Sequence, residues 1–406
     1  MKNKKSKRIF VGMSGGVDSS VSAALLKKEG FKVIGVFIKV WEPLDLARGK
    51  PFNFCNWREE QREARRATAH LDIPLLTLDL SREYKKKVVD YFIAEYKAGR
   101  TPNPDVMCNK HIKFGIFYDW ALAQGADFVA TGHYAQILRN GKQKVALVST
   151  SPRRPGEDKD SFLFGVSRDL AKDQTYFLWN LRQDQLAKIL FPVGDYTKTQ
   201  VRALAKKFGL PNAEKKDSQG LCFVGRIDFK DFLKRELKEK KGNVLNEQGK
   251  IIGHHDGAMF FTLGERHGFE VFKKTSDEKP YYIIAKDIEK NTLTVSNLLT
   301  GRLGNLHPIG AEKLEVKIEK TNWIGELSSL EVKPRSAQGF NLQARIRYRQ
   351  PLQSCEVAKI DNKEREAIIT FASPQLAVPG QSLVLYCAKS DFAHKGLICL
   401  GGGIIS

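Results

Sequence analysis

The chain has 406 residues, 42% of them hydrophobic, which is enough to bury a large core in two or three domains. Lysine and arginine outnumber aspartate and glutamate by 67 to 46, so the formal net charge is +21. This excess indicates a polyanionic partner such as RNA or DNA, although a general basic bias is the alternative. The apolar runs are too short for a membrane span and residues 1–8 do not resemble a signal peptide, so we expect a cytoplasmic protein with no membrane partner.

The first part of the chain alternates predicted strands and helices. Apolar runs predict strands at 9–11, 32–39, 75–80 and 128–131, and helical periodicity predicts helices at 21–28, 58–70, 82–98 and 109–124. This order predicts an α/β fold with a doubly wound parallel sheet. In such sheets the ligand lies beyond the carboxyl ends of the strands.

Residues 12–20, which we call the phosphate loop, join the first strand to the first helix. Its glycines allow close approach of the backbone, and the unpaired N–H groups at the helix start favour an anion. Ser14, Ser19 and Ser20 add hydroxyl donors. The loop is not a Walker loop, because no Gly-Lys-Ser/Thr follows at the required spacing. A plain strand-to-helix turn is the alternative.

The rest of the chain becomes progressively richer in predicted strands. We predict a hairpin at 136–147 turning at Asn140-Gly141, and helices at 183–190 and 199–208, the second with a capping box at Thr197 and Gln200. A short basic helix at 228–241 is followed by strands that include 281–285, 292–295, 342–348, 367–371 and 383–386. The resulting domains are a catalytic domain at 1–225, a small central domain at 226–310 and a C-terminal β-barrel at 311–406.

Two of the six cysteines lie in polar loops. Cys108 follows a proline-rich loop and precedes a predicted helix, so the helix dipole and neighbouring basic residues predict a lowered thiol pKa. Asp105 is close enough in sequence to move a proton. Cys222 lies in the glycine-bounded loop 217–225. The alternative for either is a small buried hydrophobe, which we expect for Cys355, Cys387 and Cys399; the role of Cys55 stays open.

Charged residues elsewhere suggest two further readings. A strand over 342–348 extended to 349 would place Arg345, Arg347 and Arg349 on one face, which suits a phosphate backbone, or simply a solvated barrel exterior. The sequence His254-His255-Asp256 has no third ligand nearby, and no C-x-x-C pair occurs, so we expect no metal site.

Six motifs in order make the sequence similar to one known family. They are Ser-Gly-Gly-Val-Asp-Ser-Ser at 14–20, Pro-Asn-Pro-Asp-Val-x-Cys-Asn at 102–109, Ala-Thr-Gly-His-Tyr-Ala at 130–135, Lys-Asp-Gln-Thr-Tyr-Phe-Leu at 172–178, Asp-Ser-x-Gly-x-Cys-Phe at 217–223 and Cys-Leu-Gly-Gly-Gly-Ile-Ile at 399–405. Together they resemble the tRNA-specific 2-thiouridylase family of the PP-loop ATP pyrophosphatase superfamily. The resemblance implies a Rossmann-like PP-loop fold followed by a small central domain and a C-terminal β-barrel.

The resemblance also implies the ligands of individual residues. ATP, accompanied by Mg²⁺, would bind at Gly12, Met13, Ser14, Gly15, Gly16, Val17, Asp18, Ser19, Ile38 and Gly132. Asp18 would help to position Mg²⁺, or would instead cap the helix. The target base would be held by Asn103, Pro104 and Asp105. Other tRNA contacts would come from His133, Lys172, Asp173, Gln174, Arg347, Tyr348 and Gln381.

The implied enzyme is an ATP-dependent sulfurtransferase that converts the wobble uridine of tRNA to 2-thiouridine. ATP would adenylate the C2 oxygen, and sulfur carried as a persulfide on Cys222, or sulfide released from it, would replace it. Cys108 would be the second catalytic thiol, and a Cys108–Cys222 disulfide the end product. A cysteine desulfurase would supply sulfur directly or through a relay protein. An amidating ligase, a lysidine synthetase and a non-catalytic RNA-binding protein are the alternatives, and none of these needs two loop cysteines.

Overall fold

The computed structural model describes residues 7–42, 44–45, 50–51, 57–139, 162–216, 229–272, 279–300, 307–308, 313–324, 342–388 and 396–406. Three sequence predictions lie outside these residues. They concern the Asn140-Gly141 turn, Cys55, and the 217–225 loop with Cys222.

The N-terminal part contains a parallel sheet of five strands, which confirms the doubly wound α/β prediction. In spatial order the strands are Leu75–Asp79, Lys32–Lys39, Arg8–Gly12, Phe128–Ala130 and Ile189–Leu190. The predicted helix at 183–190 is wrong in its second half. A helix covers only Gln183–Leu186, and Ile189 pairs with Val129 in the sheet. A short apolar run fits a buried strand and a buried helix equally well, so periodicity alone did not separate them.

Helices cover both faces of this sheet. They are Val17–Lys28, Trp57–His70, a composite helix of Ser81–Tyr84, Lys85–Val89 and Asp90–Lys97, a second composite of Pro104–Met107, Cys108–Ile116 and Phe117–Ala123, the short 3₁₀ turn Thr175–Phe177, and Lys198–Lys207. The middle pieces of both composite helices are π-helical. The predicted capping box is present: the Thr197 hydroxyl accepts from the Gln200 N–H, and the Gln200 side chain accepts from the Thr197 N–H.

The central part packs one short helix and a 3₁₀ turn, Phe229–Glu236 and Ala258–Phe260, against a mostly antiparallel sheet. The helix is shorter than predicted, since residues 237–241 are not helical. The sheet strands run in the order Glu270–Val271, Ile251–His255, Gly242–Leu245, Thr292–Ser296 and Tyr282–Asp287. Two small pairs lie outside the main sheets, Leu44–Asp45 with Lys50–Pro51 and Leu299–Thr300 with His307–Pro308.

Six strands of the C-terminal part close into the predicted barrel. Their order is Lys313–Trp323, Glu366–Gln375, Gln353–Asp361, Leu342–Arg345, Ser382–Ala388 and Leu397–Ile405, and the last pairs back to the first. Cys355, Cys387 and Cys399 are buried here, as expected. Two strands from the first half, Ala135–Arg139 and Phe162–Val166, pair with each other and extend the barrel sheet through Gly165 and Ile398.

This extension means that the chain segment after Phe128–Ala130 runs from the parallel sheet directly onto the barrel. The end of that strand, the 175–181 segment and the barrel are therefore fixed relative to one another. Trp179 donates to Ser382 Oγ at 3.0 Å, and Tyr176 donates to the Ser382 carbonyl at 2.8 Å. Within the described ranges no helix has the length and apolarity needed to cross a membrane.

Candidate active site

The phosphate loop is built as the sequence suggested. Gly15 has φ +72°, a conformation that favours glycine, and a Cβ atom there would collide with the Glu60 carbonyl. Ser14 N–H donates to Ser19 Oγ at 3.2 Å. The helix begins after Gly16, which has no side chain to accept from the first-turn N–H groups. These donors face the loop and favour an anion.

Two residues that carry no signal in the sequence donate hydrogen bonds to the phosphate loop. Asn212 Nδ2 donates to the Gly15 carbonyl at 3.1 Å and to Ser20 Oγ at 3.0 Å. Lys215 Nζ donates to the same Gly15 carbonyl at 3.3 Å. Both residues lie just before the 217–225 segment, so the chain enters that cysteine-bearing segment from the phosphate loop.

Asp18 is engaged by partners distant in sequence. Lys198 Nζ lies 2.8 and 2.9 Å from its two carboxylate oxygens, and the Tyr134 hydroxyl donates to Oδ1 at 2.9 Å. The capping alternative is wrong, because Gly16 occupies the cap position and Asp18 is the second helical residue. Both oxygens already face an ammonium group, so this arrangement does not offer Asp18 as a ready Mg²⁺ ligand.

The other two strands contribute to the same edge. A Cβ on Gly132 would lie 2.6 Å from the Ser19 nitrogen and 2.8 Å from the Asp18 carbonyl carbon. The backbone at Gly132 therefore packs directly against the backbone of the helix start. Ile38 is half-buried near the end of Lys32–Lys39, and the Met13 N–H donates to the carbonyl of Val36 in that strand at 2.8 Å. The residues expected to bind ATP are thus gathered at the carboxyl edge of the sheet.

Cys108 lies in the second turn of a helix rather than at its start. Asn103 caps this helix: its Oδ1 accepts from the N–H groups of Asp105 at 3.1 Å and Val106 at 3.3 Å, and Pro104 follows it. Cys108 is only 4% exposed. The expected lowering of its pKa is wrong: burial raises the pKa of the thiol, and this outweighs the opposing effect of Lys113. The helix dipole acts mainly within the first turn, whereas burial penalises the thiolate throughout.

Two groups oppose this effect of burial. The Lys113 ammonium and a hydrogen bond with Tyr84 both lower the pKa of Cys108, whereas the Asp105 carboxylate raises it. Burial also raises the pKa of Asp105, again against Lys113. The Lys113 ammonium therefore stabilises the charged forms of both the Cys108 thiol and the Asp105 carboxyl group.

The π-helical segment explains why Lys113 reaches these groups. In a π-helix the N–H of residue i+5 bonds to the carbonyl of residue i, so Lys113 lies more nearly in line with Cys108 than it would in an α-helix. Lys113 Nζ also lies 3.3 Å from His133 Nε2, and His133 Nδ1 lies 2.8 Å from Thr131 Oγ1. Burial and Lys113 hold the pKa of His133 well below its usual range, so its ring is neutral.

Lys113 therefore links the Cys108 helix to the Thr131-Gly132-His133 turn, which packs on the phosphate loop. In the sequence, Lys113 is only one of several basic residues near Cys108. A spacing of five from Cys108 carries no signal under α-helical periodicity, so the sequence does not single out this lysine.

The 172–174 segment lies against the same turn. Gln174 accepts from the Tyr134 N–H through Oε1 at 2.9 Å, and its own N–H donates to the Tyr134 carbonyl at 2.9 Å. Asp173 is 1% exposed and accepts from Ser167 N–H and Thr175 Oγ1. Burial raises its pKa, and its carboxylate faces protein rather than solvent. Lys172 is half-exposed beside it.

The expected row of three arginines is not present. The strand ends at Arg345, and Arg349 has φ +63°, so the chain turns instead of continuing with period two. Arg345 lies 3.9 Å from Asp173 in the interior, whereas Arg347 is exposed and donates to the Leu263 carbonyl at 3.2 Å. The turn forms where the run Arg-Tyr-Arg-Gln-Pro approaches Pro351, which cannot donate to a strand ladder.

Tyr348 and Gln381 approach the site from the barrel. The Tyr348 ring packs 4.4 Å from that of Phe177, directly after the 172–174 segment. Gln381 Nε2 donates to the Thr101 carbonyl at 2.7 Å, two residues before Asn103. The Thr101 N–H donates to the Pro379 carbonyl at 2.8 Å, and its hydroxyl lies 3.1 Å from that of Thr262 in the central part.

The structure thus brings together the phosphate loop, Cys108, Asp105, His133 and the barrel residues Tyr348 and Gln381. Cys222, and with it the implied disulfide, lies outside the described residues. Among the residues that the structure describes, no group of three metal-binding side chains occurs.

A parallel sheet with this loop, followed by a small β-rich part and a closed barrel, defines a PP-loop protein with two appended β-domains. Family models match the chain in succession: a tRNA methyl transferase HUP domain at 7–226, a tRNA methyl transferase PRC-barrel domain at 230–297, and an aminomethyltransferase beta-barrel domain at 313–405.

Several relatives that match along the whole chain are named tRNA-specific 2-thiouridylase MnmA. The relative from Psychrobacter arcticus is 40% identical over 406 residues, covering 100% of this chain and 91% of the relative. Those from Streptococcus thermophilus and Nitrosomonas eutropha are each 40% identical, with coverage of 98% and 95%, and of 98% and 98%. The chain belongs to the tRNA-specific 2-thiouridylase family.

Proposed function

We propose that this protein is an ATP-dependent tRNA-uridine 2-sulfurtransferase that makes 2-thiouridine at the wobble position. One observation carries the proposal: the helix bearing Cys108 is joined through Lys113 and His133 to the turn that packs on the phosphate loop. An anion site built for ATP and a catalytic thiol thus share one wall. The proposal includes the expectation that the enzyme acts in the cytoplasm.

In the first step the phosphate loop holds ATP. Gly12–Ser19 backbone groups and the helix N–H groups bind the phosphates, with Ile38 and Gly132 alongside. The C2 oxygen of uridine attacks the α-phosphorus, the bond to the β-phosphate breaks, and pyrophosphate leaves. Mg²⁺ bound to the phosphates would screen their charge. The step converts a carbonyl oxygen, which is a poor leaving group, into AMP, which is a good one.

The target base would be held by the 103–105 segment. A flipped uridine reaches Asn103, Pro104 and Asp105 at the start of the Cys108 helix. Because burial raises the pKa of Asp105, this carboxyl group can carry a proton at higher pH than an exposed aspartate. Asp105 is therefore our candidate for proton transfer during activation and sulfur attack.

In the second step sulfur replaces oxygen. A cysteine desulfurase, directly or through a relay, leaves a persulfide on Cys222. Its terminal sulfur forms a bond to C2 and AMP departs. The Cys108 thiolate then attacks the Cys222 sulfur, which releases 2-thiouridine and forms the Cys108–Cys222 disulfide; two thiols are oxidised as the persulfide sulfur is reduced. Attack by released sulfide is the variant of this step. An external thiol reductant then regenerates the enzyme.

The buried state of Cys108 suits this order of events. Burial keeps it a thiol at rest, while Lys113 and Tyr84 stabilise the thiolate when it forms. A thiol protected in this way does not attack the persulfide before the base is in place.

The tRNA would be held by His133, the 172–174 segment, Arg347, Tyr348 and Gln381. Lys172 and Arg347 are at least partly exposed, so they suit contacts to phosphate. Asp173 is buried, so its role would be to fix the backbone of this segment. Gln381 would act on the base-holding segment through Thr101.

The test incubates the full chain with ATP, a cysteine desulfurase with cysteine, a thiol reductant and unmodified tRNA, followed by nucleoside mass spectrometry. We expect ATP-dependent 2-thiouridine and release of AMP. Cys108→Ser and Cys222→Ser should abolish the product, and Cys222→Ser should also abolish persulfide labelling. Cys355→Ser, a buried barrel thiol, is the matched control. No product from wild type, under conditions in which a Streptococcus thermophilus relative forms it, would refute the proposal.

The same assay separates the alternatives. An amidating ligase or lysidine synthetase would consume ATP to AMP without needing either cysteine. A non-catalytic RNA-binding protein would bind unmodified tRNA without consuming ATP.

A further inference from the structure

A cavity of about 280 Å³ lies on another face of the Cys108 helix. Cys108, Asp105 and Lys113 do not line it. Its walls come from that helix, the 177–185 segment and two barrel positions: Asn109, Lys110, His111, Phe114, Phe177, Leu178, Asn180, Leu181, Arg182, Gln185, Asn322 and Arg365.

The lining is basic. None of the described residues that line it is acidic, and the nearby Asp184 is paired with Arg182 at 2.7 Å. Burial, with Arg365 and Lys320, lowers the pKa of Lys110, and burial, with Lys110 and Lys87, lowers that of His111 to about 4. The cations of Lys110 and Arg365, held close together at a half-enclosed surface, repel one another, and a bound anion would relieve that repulsion.

The same walls carry unsatisfied polar atoms. Within the described part of the chain, Asn109 Oδ1 and Asn180 Nδ2 are buried and have no hydrogen-bond partner. Asn109 is 4% exposed and is held by its Nδ2, which donates to the Phe177 carbonyl at 3.0 Å. Both asparagines line the cavity beside Phe114 and Phe177, with these two atoms buried beneath its surface. Buried polar groups of this kind normally have partners.

We propose that this cavity binds a small phosphorylated ligand of the nucleotide class, at a site separate from the phosphate loop. Lys110, His111 and Arg365 would meet the phosphate. The two asparagine amides and the phenylalanine rings suit a base or sugar better than they suit a bare phosphate. The volume is near the lower end of small-molecule sites, which favours a mononucleotide over a stretch of RNA backbone.

The site adjoins two residues expected to contact tRNA. Phe177 packs against Tyr348 with ring centroids 4.4 Å apart, and Phe114 lies 5.7 Å from the His133 ring. A ligand bound in this cavity would therefore contact Phe114 and Phe177 on the side away from His133 and Tyr348.

Equilibrium dialysis of the full chain with radiolabelled AMP, and separately with pyrophosphate, tests the proposal. We expect two AMP sites per chain in wild type, and one in Lys110→Gln, with the affinity of the cavity site lowered about tenfold or more by loss of a charged hydrogen bond. Tighter binding of AMP than of pyrophosphate to the cavity identifies a nucleotide; the reverse points to a phosphate-only site and overturns the assignment to nucleotides.

Controls separate the two sites. Lys86→Gln removes an exposed lysine from the neighbouring helix and should leave both sites intact. Gly132→Ala, which perturbs the phosphate loop, should leave the cavity site intact. His111→Gln provides a second cavity variant should Lys110→Gln unfold. One AMP per chain, lost in Gly132→Ala, overturns the proposal. The proposal is also overturned if wild type binds only one AMP per chain and Lys110→Gln weakens tRNA binding. That result would mean that the cavity contacts RNA.

Discussion

Substitution of Gly132 by alanine tests whether the two turns at the sheet edge act as one unit. The added Cβ would lie 2.6 Å from the Ser19 nitrogen, 2.8 Å from the Asp18 carbonyl carbon and 3.0 Å from the Ser19 Cα. These atoms form the first turn of the helix that follows the phosphate loop. They are backbone atoms, so no flexible side chain can move aside, and the turn must shift by several tenths of an ångström.

The expected cost follows from that collision. Overpacking by a methyl group in a close-packed region costs about 1–3 kcal/mol. If the helix start yields, its N–H groups no longer converge on the phosphates, and ATP affinity should fall about 5- to 150-fold over that range. If the turn bearing residue 132 yields, His133 moves away from Lys113, and the rate of thiolation falls at saturating ATP.

The assays are ATP binding by calorimetry, single-turnover 2-thiouridine formation, and thermal unfolding. Gly165→Ala is the matched control, because the tightest contact of its Cβ would be the end of the Leu138 side chain, at 3.2 Å, which can rotate away, and Gln136 Cβ would lie at an ordinary contact distance of 3.6 Å. Wild-type ATP affinity together with a wild-type thiolation rate in Gly132→Ala would refute the reasoning, whatever the change in unfolding temperature.

Three further predictions concern charged side chains. Lys113→Gln removes the ammonium that lowers the pKa of both Asp105 and Cys108; both pKa values should rise, so the acidic limb of the thiolation pH–rate profile should move to higher pH, whereas Lys113→Arg should restore it. Lys198→Met, which strips a partly buried carboxylate of its cation, should lower the free energy of unfolding by about 1–2 kcal/mol in denaturant titrations, and an unchanged midpoint would contradict this. Arg347→Ala should weaken tRNA binding and reduce its salt dependence, with Arg347→Lys retaining most of it; equal affinities at all salt concentrations would argue against a phosphate contact.

The fold was predictable where local pattern and burial agree. The strand at 32–39 has the predicted bounds, because an apolar run between turn residues leaves little choice. The closing pair of the barrel, Lys313–Trp323 with Leu397–Ile405, joins strands separated by most of the barrel sequence, and no local pattern reports it. The same holds for Phe162–Val166, a strand from the first half of the chain that joins the barrel sheet.

The candidate site also has features that the local sequence predicts and contacts that it does not. The glycine and serine positions of the phosphate loop and the Asn103-Pro104 helix start are local devices, and they could be read from spacing. The side chains that fix the loop, Lys198 and Asn212, lie nearly two hundred residues further along the chain. A pairing over that separation is set by the tertiary fold, which composition and periodicity do not encode.

Contacts around Thr101 connect the barrel and the central part of the chain to the segment that carries Asn103 and Asp105. Thr101 is held by the Pro379 carbonyl and Gln381 from the barrel, and by Thr262 from the central part. Gly380 has φ +91° and approaches the Thr101 backbone so closely that a Cβ would lie 2.9 Å from its nitrogen. The short run from Thr101 to the Asn103 cap is fixed by these contacts, so it transmits any movement of the barrel to Asp105 and Cys108. Under the proposed function, a tRNA bound by the barrel would therefore set the position of Cys108 as well as that of the target base.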